Sequence, residues 1–364
     1  MKTVSLFRYV ALCSAVLIGV PIADAAGLAP NHLKRTTTTM LSPRLAQIFA
    51  KTKPVCFGRF VIDVPVSSTV VFGPMTADFE IVHLAGEANM ADDHIAKQTL
   101  ELDKEKFVNR RMNTPDSLYG KVLQDGVKGQ KSFIGAQSDS YRLSSYVPIG
   151  SDLFVFDSNS LMNTAEVKQR VAKVGLYARE LRARADSDIP VEPGLCLEGG
   201  FITVNPTFEN TSMGIRLAEL PDVHLSISTS RNGEWVDAEG NLENRLQAAE
   251  RDAIQEGKGY LYKSIKFFRR APRQIGEWVG EEALARMPAE KGRFSSHKFQ
   301  FYAVGAANDI LRPVADVQLD TGVAGNATKA RPPSVSDEEA VAIWDHLTSS
   351  IQARPTAQET TAKK

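Results

Sequence analysis

The hydrophobic and polar positions of the chain repeat one plan in its two halves. In V-C-F-G-R-F-V-I-D-V-P (Val55–Pro65), a cysteine and a glycine lead into apolar alternation that stops at a proline. This pattern predicts a strand closed by a residue that cannot donate to a sheet. The stretch L-C-L-E-G-G-F-I-T-V-N-P (Leu195–Pro206) follows the same order. We therefore expect a duplicated domain, each copy opening on such a strand.

Downstream of each opening strand, the periodicity predicts strands, a helix, more strands and a second helix. Helices are expected at about 91–112, 164–184 and 241–256, and from Ser336, where Glu339 completes a capping box. The predicted strands are 57–64, 69–72, 79–84, 118–124, 131–137, 140–147 and 153–157, then the Cys196 strand, 212–220, 223–230, 260–268, 275–286, 294–304 and 314–320. The sequence thus predicts an α+β fold of two similar domains, each a largely antiparallel sheet covered by two helices.

Shifts in composition give the domain boundaries. The segment Ala185–Gly194 is rich in aspartate, proline and glycine, and is predicted to link an N-terminal domain at 54–187 to a C-terminal domain at 191–354. Residues 26–53 read as a leader with a short helical patch at Leu45, Ile48 and Phe49, predicted to pack loosely or to be mobile. The polar tail at 355–364 is predicted to be disordered.

The first 25 residues have the organisation of a secretory signal peptide. Lys2 and Arg8 precede the apolar run Val10–Val20, and Ala23-Asp24-Ala25 supplies small residues for cleavage. The run is too short to span a bilayer core, which needs about 20 residues. We therefore expect cleavage after Ala25 and export to the periplasm, without stable insertion in the membrane.

The two cysteines beyond the signal peptide stand at the heads of the two repeats. They are Cys56 and Cys196, and Cys13 falls within the signal peptide. In an oxidising compartment a disulfide between the opening strands is expected, and closing a loop of about 140 residues would stabilise the fold by about 5 kcal/mol. The alternative is two buried free thiols that behave as small apolar side chains.

Net charge and known motifs exclude several functions. Lys plus Arg and Asp plus Glu both number 43, so no overall charge draws the protein to nucleic acid or anionic lipid. The chain has no G-x-S-x-G, H-E-x-x-H, P-loop, C-x-x-C or G-x-G-x-x-G motif, which predicts neither catalyst, cofactor nor metal. The histidines His32, His83, His94, His224, His297 and His346 lack metal-ligand spacing.

Three other features admit both a chemical and a structural interpretation. The carboxylate pairs Asp92-Asp93 and Glu281-Glu282 could serve acid–base chemistry, but a helix start and a strand bend explain them more simply. The stretch K-S-I-K-F-F-R-R-A-P-R (263–273) could bind nucleic acid or phospholipid. In a strand, the same alternation places aromatic residues inside and charges outside. His83 and His224 fall in equivalent strands, which favours a repeated structural role.

Motifs in both halves of the chain, in the right order, resemble a family of bacterial immunity proteins. The opening C-F-G-R-F-V-I-D-V-P is similar to the N-terminal domain of the immunity proteins that neutralise lipase effectors of the type VI secretion system, in the fourth class of those effectors. G-L-C-L-E-G-G-F-I, W-V-G-E-E and W-D-H-L-T-S-S-I resemble the C-terminal domain of that family. The motif positions are Gly58, Arg59, Phe60, Asp63, Pro65, Gly280, Glu281, Glu282 and Trp344.

The resemblance implies a periplasmic two-domain protein with no activity of its own. Its partner would be a cognate phospholipase effector, which it binds and inhibits to protect the producing cell. The chain departs from the family after G-E-E, at 283–287, so no interface is assigned to those positions. The glycines and glutamates of the motifs are expected to form the fold.

Two other functional classes stay open at the level of sequence. A periplasmic small-molecule or lipid-binding envelope protein would also have two lobes behind a signal peptide. A hydrolase with scattered catalytic residues would leave no motif.

Overall fold

The protein forms two compact units that interleave along the chain. The computed structural model describes residues 40–104, 114–124, 127–137, 139–233, 240–290, 294–322 and 331–356. The N-terminal unit contains Lys53–Ile62, Val71–Met213 and the described residues from Ala353 onward. The C-terminal unit contains the described residues up to Thr52, Asp63–Val70 and Gly214–Gln352. The fold is α+β with mainly antiparallel sheets.

The described elements are six helices and nineteen strands. The helices are α1 (Pro43–Ile48), α2 (Ala91–Lys104), α3 (Thr164–Glu180), α4 (Leu242–Gln255), α5 (Gly259–Lys263) and α6 (Asp337–Ser349). The strands are β1 (Thr52–Phe57), β2 (Phe60–Pro65), β3 (Thr69–Phe72), β4 (Met75–Ala77), β5 (Glu80–Leu84), β6 (Val122–Leu123), β7 (Lys131–Gln137), β8 (Ser140–Ile149), β9 (Asp152–Leu161), β10 (Leu181–Ala183), β11 (Leu195–Leu197), β12 (Gly200–Ile202), β13 (Glu209–Leu217), β14 (Leu220–Ser230), β15 (Lys266–Ile275), β16 (Trp278–Met287), β17 (Ser296–Ala303), β18 (Val314–Asp320) and β19 (Gln352–Ala353).

The main sheet of the N-terminal unit runs in the order β4-β5-β9-β8-β7-β6. Side chains alternate between its faces. Val147 and Phe154 pack with the valines of α3 in one cluster, whereas Tyr146 and Val155 pack with Ala91 and others from α2 in a second cluster. The sheet is therefore buried on both faces, which explains the runs of consecutive buried residues in β8 and β9.

The main sheet of the C-terminal unit contains β15-β16-β17-β18-β14 in that order. In β18 every second residue is buried, as expected for a strand with one face against a core. The helix α6 covers this core with a buried stripe that includes Ile343 and Trp344, and the Trp344 ring meets Phe299 edge to face at 6.1 Å. Ser336 and Glu339 form the predicted capping box.

Three sequence predictions differ from the structure for local physical reasons. The strand predicted at 57–64 is a hairpin, because Gly58 at φ +50° turns the chain between β1 and β2. Residues predicted as the start of strand 260–268 form α5, whose Tyr262 hydroxyl donates to the Leu246 carbonyl of α4 (3.2 Å). The helix α3 ends at Glu180, since Leu181–Ala183 pair with β12.

The leader and the predicted linker are both tied to their units. Leu45 in α1 is fully buried, and Ser42 donates to the Glu339 carboxylate at 2.9 Å, so the prediction of loose packing is wrong for these residues. In the linker, the side chain of Arg184 donates to the carbonyls of Ala185 and Asp188 (3.1 and 3.0 Å). The domain boundaries at 54–187 and 191–354 stay predictions. The predicted signal peptide at 1–25 and residues 357–364 of the predicted tail lie outside the described residues.

Leu45→Ala tests whether the leader belongs to the core. We expect a loss of about 2 to 5 kcal/mol in the free energy of unfolding, because the substitution removes a fully buried side chain. Urea unfolding measures the loss, and the exposed neighbour Gln47→Ala is the control. Equal stability of the two variants would contradict the packing of α1.

Candidate functional site

The two cysteine-headed strands are joined in the N-terminal unit. Cys56 and Cys196 form a disulfide with their Cα atoms 5.8 Å apart. Beside it, the Gly58 amide donates to the Cys196 carbonyl (3.0 Å) and the Cys196 amide donates to the Gly58 carbonyl (2.8 Å). The two repeated motifs of the sequence are therefore in contact. Their cysteines form a disulfide and are not two free thiols.

The residues after Cys56 build a turn with a buried ion pair. A Cβ on Gly58 would lie 2.9 Å from the Thr211 hydroxyl, so a side chain there would crowd β13. Arg59 is only 8% exposed and forms two hydrogen bonds to the Glu209 carboxylate, at 2.8 and 2.7 Å. Phe60 packs in the interior beside Phe57. Structural contacts within the N-terminal unit thus account for Gly58, Arg59 and Phe60.

Asp63 and Pro65 belong to the C-terminal unit and contact its helix end and a turn. The Asp63 amide donates to the hydroxyl of Ser350, the C-cap of α6, at 3.1 Å. The carbonyl of the buried Pro65 accepts from the Ser68 amide at 2.9 Å. These contacts are made by the backbone of the motif, so they fix the path of β2.

The G-E-E motif lies in β16, and each of its residues has a separate structural contact. A Cβ on Gly280 would lie 2.3 Å from the Tyr302 carbonyl oxygen, so only glycine permits this close approach. Glu281 accepts a hydrogen bond from the Glu243 amide in the first turn of α4 (2.8 Å). Glu282 is 4% exposed and accepts from the Trp344 indole at 3.0 Å.

Glu282 is also the centre of a buried charge network. Arg273 donates to Glu282 at 2.5 Å and to the Thr348 hydroxyl at 2.6 Å. Arg269 pairs with Asp345 of α6 and lies 3.4 Å from Glu282. Two cations face two carboxylates, so the network is neutral and holds α6 against β15 and β16.

Four of the five basic residues in the stretch 263–273 pair with carboxylates of their own unit. Besides Arg269 and Arg273, Lys266 pairs with Asp337 at 2.9 Å and Arg270 pairs with Glu243 at 2.7 Å. A surface that binds phosphates needs cations that are free to exchange partners. The structure therefore favours the structural interpretation of this stretch.

A Thr, His and Asp arrangement in the C-terminal unit has the partners of a hydrolytic triad without access for a substrate. His297 Nδ1 lies 2.9 Å from the Thr321 hydroxyl and Nε2 lies 2.9 Å from Asp337. His297 and Thr321 are each only 2% exposed. A nucleophile must reach its substrate, so this arrangement does not support the hydrolase alternative.

Burial favours the neutral form of His297, whereas hydrogen bonds and neighbouring charges favour the ionised form of Asp337. Burial lowers the pKa of His297 although the hydrogen bond and charge of Asp337 act in the opposite direction, with Arg286 lowering it and Asp222 raising it. Burial raises the pKa of Asp337, but hydrogen bonds from His297 and Lys266 and the charge of Arg286 outweigh it and lower this pKa to about 2.

Several cavities open among the described residues, one of them of about 170 Å³ beside Glu243, Arg270 and Glu281. In the N-terminal unit, a cavity of about 240 Å³ is lined by Phe72, Glu80, His83, Phe154 and Glu198 among others. His83 in this lining lies 2.9 Å from Asp152. In the C-terminal unit, a cavity of about 60 Å³ lies between α4 and the sheet, and we call it the helix–sheet cavity. Its lining includes Leu246, Ala249, Tyr262, Phe267, Ala283 and Ala285. Within the described ranges, no group of three or more His, Cys, Asp or Glu side chains could hold a metal ion.

Comparison with known proteins identifies the family. The N-terminal domain model of the Tle cognate immunity protein 4 family matches residues 53–184, and its C-terminal domain model matches residues 188–356. No curated protein matches the sequence. None of the described helices is long and apolar enough to cross a membrane.

Solved structures share the fold at low sequence identity. The crystal structure of a Tle4–Tli4 complex aligns with TM-score 0.67 and 21% identity, over 85% of this chain and 99% of that chain. The apo immunity protein TplEi of the type VI secretion system from Pseudomonas aeruginosa aligns with TM-score 0.65 and 20% identity, over 84% and 98%. TplEi complexed with an "L" peptide gives 0.63 and 21%, over 84% and 99%.

These matches define the class as an immunity protein for a type VI secretion effector. The chain belongs to the Tle cognate immunity protein 4 family. The resemblance found in the sequence is therefore confirmed. Arg59 pairs with Glu209, 150 positions away in the sequence, and Arg269 pairs with Asp345, 76 positions away. The sequence did not indicate these partners, because a local pattern does not mark ion pairs between residues so far apart.

Arg59→Met tests the buried ion pair of the first motif. We expect a loss of about 3 to 5 kcal/mol in the free energy of unfolding, because Glu209 would remain buried without its partner. Adding Glu209→Leu should recover much of the loss. Arg142→Met, which breaks an ion pair of 3.6 Å whose arginine is 48% exposed, should cost at most about 1 kcal/mol. Urea unfolding of all four proteins gives the comparison, and a double variant no better than Arg59→Met would contradict it.

His297 predicts a loss of stability in mild acid. The pKa of His297 in the folded protein lies below the unfolded value of about 6.5. Its contribution to the free energy of unfolding is therefore full above that pH. The contribution declines as the pH falls, because the unfolded chain takes up the proton first. Burial lowers the pKa of His224 and His346 as well, so His297→Gln should remove one of three contributions. The measurement is the free energy of unfolding at pH 7.5, 6 and 5. An unchanged slope in the variant would contradict the prediction.

Proposed function

We propose that this protein binds a phospholipase effector of the type VI secretion system in the periplasm, inhibits it, and so protects the cell that makes it. The observation that carries the proposal is the match of both family domains, in order, over residues 53–184 and 188–356. A relative of the same fold is known in a Tle4–Tli4 complex. The protein acts by binding and without catalysis.

The arrangement of the described residues supports inhibition by binding. The buried charged residues of the family motifs, Arg59 and Glu282, pair inside their units, and the described arrangement of His297 between a hydroxyl and a carboxylate is also buried. A protein that acts this way neutralises one enzyme molecule per inhibitor. Its affinity should be nanomolar or better, which an interface of standard size can supply with about 12 kcal/mol.

Two features support the periplasm as the compartment. Residues 1–25 have the sequence of a secretory signal. The Cys56–Cys196 disulfide is the kind of bond that persists in oxidising compartments. An inhibitor has to meet the lipase where the lipid substrate is, so export is part of the proposed function.

Protection of cells tests both parts of the proposal. A cell that directs the phospholipase encoded beside this protein to its periplasm should lose membrane integrity, and co-expression of the full chain should restore growth. The matched control lacks residues 1–25 and should fail to protect, because it stays in the other compartment. Growth and uptake of a membrane-impermeant dye are the measurements.

Titration of the purified proteins gives the second test. Lipase activity should fall linearly to zero at one inhibitor per enzyme. Equal protection by the version without its signal, or full inhibition far below one inhibitor per lipase, would contradict the proposal.

A further inference from the structure

The helix α4 of the C-terminal unit does not close onto the sheet beneath it. Its sequence places Leu242, Leu246, Ala249 and Ala253 on one stripe, yet only Leu242 and Ala253 are buried, and the two residues between them are half-buried. The lining opposite them includes the small residues Ala283 and Ala285 of β16. The result is the helix–sheet cavity of about 60 Å³.

The walls of the helix–sheet cavity are apolar, and its polar border is already paired. Lys298 donates to Asp320 at 2.6 Å, and the side-chain amides of Gln300 and Gln318 donate to Asp316 at 3.0 Å each. Arg245 lies over the Tyr302 ring at 3.9 Å. A ligand would therefore gain by burying apolar surface and would not need to satisfy hydrogen bonds in the cavity.

The volume of the cavity limits what can enter. A group the size of a water molecule needs about 10 to 15 Å³ of such space, so there is room for about four to six methylene-sized groups. Because Leu246 and Ala249 are half-buried, the cavity is open on the side of α4. A slender chain can place its end inside while the rest stays in solvent, whereas a bulky ring system cannot.

We propose that the helix–sheet cavity binds the end of a single acyl chain, from a free fatty acid or a monoacyl phospholipid. Both compounds carry an unbranched apolar chain with one polar head, which matches apolar walls beside a satisfied polar border. The inference rests on the cavity and does not depend on the proposed inhibition of an effector. Phospholipid hydrolysis is the class of reaction that releases both ligands.

The first test varies the length of the acyl chain and uses the full-length mature protein. Isothermal titration calorimetry with hexanoate, octanoate and decanoate, all below their micellar concentrations, should show about fourfold tighter binding for each methylene that enters the cavity. The gain should level off once the cavity is full. Octanoyl lysophosphatidylcholine is the second arm, and whichever arm binds identifies the head group that the border accepts. No binding in either arm would overturn the proposal.

A filling variant with a matched control locates the site. Ala249→Phe puts a ring into the cavity and should weaken octanoate binding at least tenfold. Ala248→Phe, one residue earlier in α4 and half-buried but outside the lining, should bind within twofold of the wild type. Equal loss or equal binding in the two variants would overturn the proposal.

A measurement on the unmodified protein keeps the test valid if a variant fails to fold. Octanoate should shift the methyl resonances of Ala283 and Ala285 in NMR spectra of the wild type, and should leave that of the exposed Ala46 unchanged. Absent shifts at both alanines would count against the site. A different outcome would assign the cavity to a side chain of a protein partner. In that case the wild type binds no acyl chain, and Ala249→Phe no longer captures the effector.

Discussion

Pairing of buried charge is the constraint on which both units depend. Arg59 and Glu209 in the N-terminal unit, and Arg273 and Glu282 in the C-terminal unit, are each less than a tenth exposed. A charge removed from water without a partner costs several kcal/mol, so each of these pairs fixes which strands lie side by side. The C-F-G-R-F and G-E-E motifs meet this requirement, because each supplies one member of a pair. Each also supplies a glycine: Gly58 turns the chain at a positive φ, and Gly280 permits close approach to the Tyr302 carbonyl.

This use of the motifs separates the fold from recognition. Residues that hold strands together cannot vary without loss of stability, whereas exposed residues of the same strands and helices can. Under the proposed function, recognition of a particular effector falls to exposed residues. A shared fold at 20% or 21% identity with the immunity proteins of known structure is consistent with that division.

Periodicity predicted those elements whose environment is uniform along their length. The bounds of β7 and β18 and the buried stripe of α6 agree with the sequence prediction. The pattern failed at Gly58, where a positive φ turns one predicted strand into a hairpin, and at α5, where packing on α4 overrides alternation. The helix–sheet cavity could not be predicted from the sequence either. The apolar stripe of α4 has the same sequence pattern whether or not the helix packs tightly on the sheet.

The position of Arg354 sets the order in which the chain can finish folding. Its guanidinium donates to the carbonyls of Glu192 and Gly194 (2.8 and 3.0 Å), and its amide donates to the Arg59 carbonyl (2.8 Å). Arg354 follows the whole of Gly214–Gln352 in the chain, so the N-terminal unit is completed by a residue made after the C-terminal unit. Contacts this distant in sequence slow folding, so the half of the chain that is made first cannot be the half that finishes folding first.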